Sequence, residues 1–236
     1  MFKANVDGTT TVLDAAIAAG VGRIVYVSTV NVFGNTHGRV VDETYERPDR
    51  DFLSYYDATK YMAHRTAVAR QAAGAPLVIV APGAIYGPGD HSELGAQIRQ
   101  AARGTYVIRA FPDLGFTMGY LDDVADGVVL AQSKGGVGES YILGGEVTRL
   151  GTILDLVADL TGHKRPRFKL PSAVFSAARP FGGVVGRLIG TGPKLHEVVR
   201  ASKGVTYWAS SAKAERELGY APRPLERGLK DLLGVR

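Results

Sequence analysis

Arg23-Ile24-Val25-Tyr26-Val27-Ser28-Thr29 is a nearly continuous apolar run that ends in two hydroxyl side chains. A run without polar alternation is the mark of a strand buried on both faces of a parallel sheet. On its N-terminal side, Asn5-Val6-Asp7-Gly8-Thr9 is followed by Val12, Leu13, Ala16 and Ile17 at helical spacing, and Gly20 supplies the stop. On its C-terminal side a polar loop (35–53) leads into a helix over 54–73, stopped by Gly74, and then a second apolar run over 77–81 is broken by Pro82-Gly83. Helix, buried strand, helix, buried strand is the order of a wound α/β fold.

Working outward, 92–103 and 122–132 read as helices and 140–143 as a short strand. Thr148 is expected to cap a helix whose apolar face is Leu150, Ile153, Leu154, Val157 and Leu160, ending at Gly162. A Pro- and Gly-rich stretch follows, in which 171–190 reads as a partly amphipathic lid, and two helices close the chain, one over 211–218 and one after Pro222 and Pro224. The expected division is a Rossmann-like unit over 1–162 and a basic substrate lobe over 163–236. Internal repeats and low-complexity tracts are absent from the sequence.

Composition narrows the chemistry. There is no cysteine among the 236 residues, which excludes a thiol nucleophile, a zinc–thiolate site and an iron–sulfur cluster in this chain. The five histidines (37, 64, 91, 163, 196) have no metal-ligand spacing, so no metal is expected. Apolar runs fall far short of the roughly 18 residues of a membrane span, and the expectation is a soluble, cytoplasmic protein. The net charge of +5 is unevenly spread: between His163 and Lys203 nine Lys/Arg face one acid, Glu197, a local +8 that leaves −3 for the remainder. Such a segment fits an anionic substrate, a cofactor phosphate or a membrane surface near that lobe, or simply a solvated basic face. With no aromatic-interleaved basic patch beside it, nucleic-acid binding is not expected.

The strongest chemical signal is Thr29 with Tyr56 and Lys60. Tyr56 and Lys60 stand four residues apart on an expected helix, so both side chains leave one face a turn apart. An ammonium at that distance favours the phenolate and is expected to lower the tyrosine pKa, making a group that passes a proton to or from a substrate oxygen. Thr29 follows the C-terminal end of the first strand, where open parallel sheets hold ligands.

In order and spacing, Asn5-Val6-Asp7-Gly8-Thr9, then Val25 to Gly34 (Val-Tyr-Val-Ser-Thr-Val-Asn-Val-Phe-Gly), then Tyr56-Asp57-Ala58-Thr59-Lys60 are similar to successive signatures of the extended short-chain dehydrogenase/reductase superfamily, the NAD-dependent epimerase/dehydratase group. Pro82-Gly83-Ala84-Ile85-Tyr86-Gly87-Pro88-Gly89-Asp90, Tyr120-Leu121-Asp122-Asp123-Val124-Ala125 and the stretch from Ser211 to Tyr220 extend the likeness over essentially the whole chain. The C-terminal third most resembles dihydroflavonol-reductase-like, hydroxysteroid-dehydrogenase-like and sugar-epimerase members. The resemblance implies a Rossmann-like doubly wound parallel sheet with a small C-terminal substrate lobe. It implies NAD or NADP as cofactor, Tyr56 as acid/base, and Lys60 as its partner and a ligand of the nicotinamide ribose. Thr29 would orient the substrate oxygen, Asn5 would support the set, and Pro82 and Gly83 would form the backbone turn beside the nicotinamide. Ala81 stands where the family usually has an arginine. The implied substrate is a small molecule, a bulky secondary alcohol or ketone or a nucleotide sugar.

In the family the asparagine-bearing helix follows a glycine-rich strand–turn–helix and two further strands. Here the sequence opens at that helix, and the expectation is an N-terminally truncated unit whose first strand has an open apolar edge, so that homo-oligomers form. Gly183 to Gly190 superficially resembles the glycine-rich loop but follows no strand and precedes no acid at the required distance. Two further readings stand beside the dehydrogenase: a cofactor-independent esterase using Ser28 or Thr29 with Tyr56 and Lys60, and a non-catalytic remnant. Ser210-Ser211-Ala212-Lys213 reads as a helix start rather than a nucleophile.

Overall fold

The computed structural model describes residues 1–48, 52–106, 108–109, 111–165, 168–169 and 204–235. A single π-helical turn, Lys3–Asp7, runs into α1 (Gly8–Ala18), and β1 (Ile24–Val27) follows. After a 3-10 turn, Val30–Phe33, come α2 (Tyr55–Ala72) and β2 (Leu77–Pro82), then β3 (Ala84–Tyr86) and α3 (Glu93–Ala102). The chain continues through β4 (Ile108–Arg109), β5 (Gly115–Tyr120), α4 (Leu121–Lys134), β6 (Ser140–Leu143), β7 (Val147–Arg149) and α5 (Leu150–Leu160). Last come β8 (Phe168–Lys169), β9 (Thr206–Tyr207), α6 (Ala212–Leu218) and α7 (Leu225–Leu233).

The α/β expectation holds, and β2 shows why. All six of its residues are buried, and alternate side chains serve opposite faces. Leu77 and Ile79 pack with Leu13 of α1 and Ala67 of α2, whereas Val78 and Val80 pack with Ala131 of α4 and Ala214 and Leu218 of α6. β2 lies between β1 and β6, both parallel to it, so helices cover both faces of a parallel sheet, the doubly wound arrangement. β1 differs from the expectation of burial on both faces: Ile24, Val25 and Tyr26 are half-buried and Val27 is exposed. The reason is its place at the end of the sheet, since among the described residues β2 is its one strand partner.

Two glycines end helices as expected, Gly20 and Gly74 both adopting positive φ. Thr148 does not cap α5. It belongs to β7, which pairs antiparallel with β5, and Arg149 holds the N-cap position without a side-chain bond. β3, β5, β7 and β9 form a second sheet that the sequence patterning does not announce, because Gly115-Phe116-Thr117-Met118-Gly119-Tyr120 carries two glycines and a buried threonine where an apolar run would be the signal. Its core joins Tyr86, Ile98, Met118, Ile153, Leu154 and Leu229. α7 is clamped to this body by Arg223, which makes a bidentate pair with Asp123, bonds Asp231, and stacks over Tyr120 at 4.0 Å. Most of the basic segment, including the expected lid over 171–190 and the Gly183–Gly190 stretch, lies outside the described residues. Of its two basic side chains that are described, Arg165 is engaged, paired with Asp159 at 2.5 Å.

The first sheet meets the second at Pro82-Gly83. Gly83 N donates to the Leu143 carbonyl at 2.9 Å, and a Cβ at Gly83 would run into the backbone carbonyl of Thr117 in β5. Gly83→Ala is therefore expected to lower stability by about 1–3 kcal/mol, measured by urea denaturation; an unchanged midpoint would show that β5 does not approach this turn.

Candidate active site

Parallel pairing of β1 and β2 sets two chain ends side by side. Val27 is in register with Val80, and the Ser28 amide donates to the Val80 carbonyl at 2.7 Å, so Ser28 and Thr29 emerge beside Ala81, Pro82 and Gly83 at the C-terminal rim of the sheet. Thr29 then leaves the strand with extended backbone and becomes the N-cap of the 3-10 turn, its Oγ1 accepting from the Asn31 amide at 3.3 Å.

α2 starts at a defined point because Ser54 caps it, Oγ accepting from the Asp57 amide at 3.1 Å. The face it turns to the sheet is small: Ala63 and Ala67 are fully buried. Three polar bonds fix it there. Asn5, in the π-helical turn, donates from Nδ2 to Thr59 Oγ1 at 3.0 Å, and Thr59 donates to the Tyr56 carbonyl at 2.9 Å. Ser28 Oγ lies 2.9 Å from His64 Nδ1. Asn31 Nδ2 donates to Asp57 Oδ1 at 3.2 Å. The pairs 28–64 and 31–57 bracket Thr29 on one side and Lys60 on the other, with Tyr56 next to the second pair. These bonds tie to one another the segments that carry Thr29, Tyr56, Lys60 and Asn5, and Pro82 and Gly83 lie at the rim beside Ser28 and Thr29.

Two details depart from expectation. Ser28 is buried and bonded to His64, leaving the half-buried Thr29 as the more open of the two hydroxyls. The Tyr56 phenol is held above its ordinary pKa, not below it: burial of its hydroxyl end disfavours the phenolate, and the negative Asp57 beside it adds to the effect. Lys60 is lowered by burial, desolvation disfavouring the charged form of both groups.

His64, Asn31 and Asp57 are the residues that sequence reasoning passed over. A signal existed for His64, which continues the Tyr56 and Lys60 stripe at the next i+4 position. Burial, with Arg65 and Lys60 adding like charge, lowers the His64 pKa to about 4, so the ring is neutral at neutral pH.

The model of the NAD-dependent epimerase/dehydratase family matches residues 1–144. The chain belongs to this family. Among its relatives, sterol demethylase protein B of Methylococcus capsulatus is 33% identical over 173 residues, covering 72% of this chain and 52% of that protein. A ketoreductase of Stigmatella aurantiaca acting on 4-hydroxy-2-methyl-3-oxo-4-farnesyl-3,4-dihydroquinoline-1-oxide is 32% identical, covering 94% of this chain and 67% of that one. The crystal structure of gox2253 superposes with a TM-score of 0.82 at 32% identity, covering 99% of this chain and 72% of that one. The chain thus spans from about half to about seven-tenths of the length of these relatives. Among the described residues no helix is long and apolar enough to cross a membrane, and no group of three or more His, Asp or Glu is placed to hold a metal ion.

The His64 shift has a sign that can be tested. As pH falls below 6.5 the unfolded chain takes up a proton that the folded chain refuses until about pH 4, so this group's contribution is complete above pH 6.5 and declines by about 3 kcal/mol across that interval. Denaturation across this pH range should show a steeper loss of stability in the wild type than in His64→Gln; parallel profiles would contradict a buried neutral imidazole.

Proposed function

We propose that this chain carries the proton-transfer machinery of a nicotinamide-dependent oxidoreductase or epimerase acting on a secondary alcohol or ketone. The observation that carries the reading is the bracketing of Thr29 and Lys60 by the 28–64 and 31–57 hydrogen bonds, with Tyr56 adjoining, at the sheet rim where open α/β folds bind ligands. Membership of an NAD-dependent family supports it.

Tyr56, 42% exposed at the rim, donates its proton to a carbonyl oxygen in reduction and takes the hydroxyl proton in oxidation. Thr29 bonds the same oxygen and fixes which carbon faces the cofactor. Lys60 stabilises the phenolate when it forms. NAD or NADP, when bound, supplies or accepts the hydride, and the residues here that fit its nicotinamide-ribose end are Tyr56, Lys60 and the Pro82-Gly83 turn, where close packing leaves no room for a Cβ. The fit rests on a half-buried lysine one helical turn from an accessible phenol. We assign the cofactor side to 1–162 and the substrate side to 163–236.

The esterase alternative is disfavoured by the burial of Ser28 and by a Tyr56 phenol raised rather than lowered. Tyr56→Phe is expected to reduce oxidation or reduction at least about 100-fold while calorimetric titration with NAD(H) and NADP(H) still gives binding heat. Because oxidation needs the phenolate and the phenol is raised, alcohol oxidation should climb through the alkaline range and ketone reduction should fall there. Absence of any binding heat for all four cofactor forms, or turnover that survives Tyr56→Phe, would overturn the proposal.

A further inference from the structure

Asn31, in the 3-10 turn that follows β1, is bonded at its amide, its carbonyl and both ends of its side chain. Its amide donates to Thr29 Oγ1 at 3.3 Å and its carbonyl accepts from the Gly34 amide at 3.0 Å. The side chain faces two ways: Nδ2 donates to Asp57 Oδ1 on α2 at 3.2 Å, and Oδ1 accepts from the Thr29 hydroxyl at 3.4 Å. These partners decide which end of the side-chain amide points where. A carboxylate oxygen accepts and does not donate, so it takes the Nδ2 end. The reversed amide would set oxygen against oxygen.

The direction of the Thr29 hydroxyl follows. A hydroxyl has one proton and two acceptor positions. The Asn31 amide fills one acceptor position and Asn31 Oδ1 takes the proton. Capping the turn needs only the first of these bonds, because an N-cap side chain works by accepting from a backbone amide. The second bond is additional, and its length matters. Hydroxyl donors ordinarily stand about 2.5–3.0 Å from an accepting oxygen; at 3.4 Å the proton is directed but loosely held, so a substrate oxygen at ordinary distance draws it away.

We propose that Asn31 is a positioning residue of the site: braced against α2 through Asp57, it fixes Thr29 Oγ1 with its amide and keeps the Thr29 proton on its side-chain oxygen until a substrate oxygen takes it over. The inference rests on the proposed function of Thr29 as the group that bonds the substrate oxygen. It also accounts for the residue type. An alanine there would leave the backbone cap in place, whereas asparagine supplies an acceptor toward Thr29 and a donor toward a carboxylate at once.

A double-mutant cycle on the chain without cofactor tests the link. Thr29→Val removes the hydroxyl and Asn31→Ala removes the side-chain amide while leaving the backbone amide, so their coupling reads the side-chain bond. By urea denaturation the double variant should retain a folding equilibrium constant about threefold or more above the product of the single losses; losses that simply multiply would overturn the proposal. In turnover, Asn31→Ala should lower kcat about 10-fold with cofactor binding heat retained, and should cost nothing further when added to Thr29→Val. An equal loss in that background would show that Asn31 does not act through Thr29, and would overturn the proposal. One measurement needs no variant: nuclear Overhauser effects from the Asn31 Nδ2 protons should be stronger to Asp57 than to Thr29, and the reverse order would overturn the proposal whether or not the variants fold. Failure of the oxidoreductase reading would appear as absent cofactor binding and would leave the denaturation cycle and the Overhauser effects unaffected.

Discussion

The arrangement of the site depends on how α2 is held against the rim of the first sheet. The helix presents alanines to the sheet at Ala63 and Ala67, which lets the backbone come close but gives little lateral definition, because small apolar faces slide with modest cost. Definition comes from directional bonds instead. Asn5 grips Thr59, Ser28 grips His64 and Asn31 grips Asp57, and each ends on a residue within the turns that bear Tyr56 and Lys60. Hydrogen bonds of this sort contribute about 1 kcal/mol each, small beside the buried β2 core yet able to fix rotation and height of the helix, which the core does not.

This division of labour explains what could be read from the sequence. The parallel sheet was legible because β2 is apolar at every position and its flanking helices end at Gly20 and Gly74 with positive φ. That Tyr56 and Lys60 stand a turn apart on one helix, and Thr29 just past the end of a strand, was legible because i,i+4 spacing and the end of an apolar run are visible in one dimension. The second sheet was not, since Thr117 and two glycines in β5 exist to serve neighbours distant in sequence: Thr117 bonds the backbone at Tyr207 and Ala209, and Gly115 leaves room for Trp208. Thr148 misled for a related reason, a good capping residue taken up by strand pairing.

The sign of the Tyr56 shift was also beyond the sequence. Spacing places an ammonium near the phenol but says nothing of how deeply either is buried, and here burial acts on both, raising one and lowering the other. Burial, with the charge of Asp57 adding to it, leaves the phenol held in its protonated form. His64, kept neutral by its surroundings, holds Ser28 without adding a second positive charge beside Lys60.

The central claim, that polar bonds to the end of β1 and its following turn fix α2 in place, is tested most directly by amide hydrogen exchange on the double variant Ser28→Ala with Asn31→Ala. The account predicts faster exchange confined to residues 57–64 of α2 and the turn at Val30–Phe33, with the amides of β2 as protected as in the wild type. Unchanged protection in α2 would contradict it.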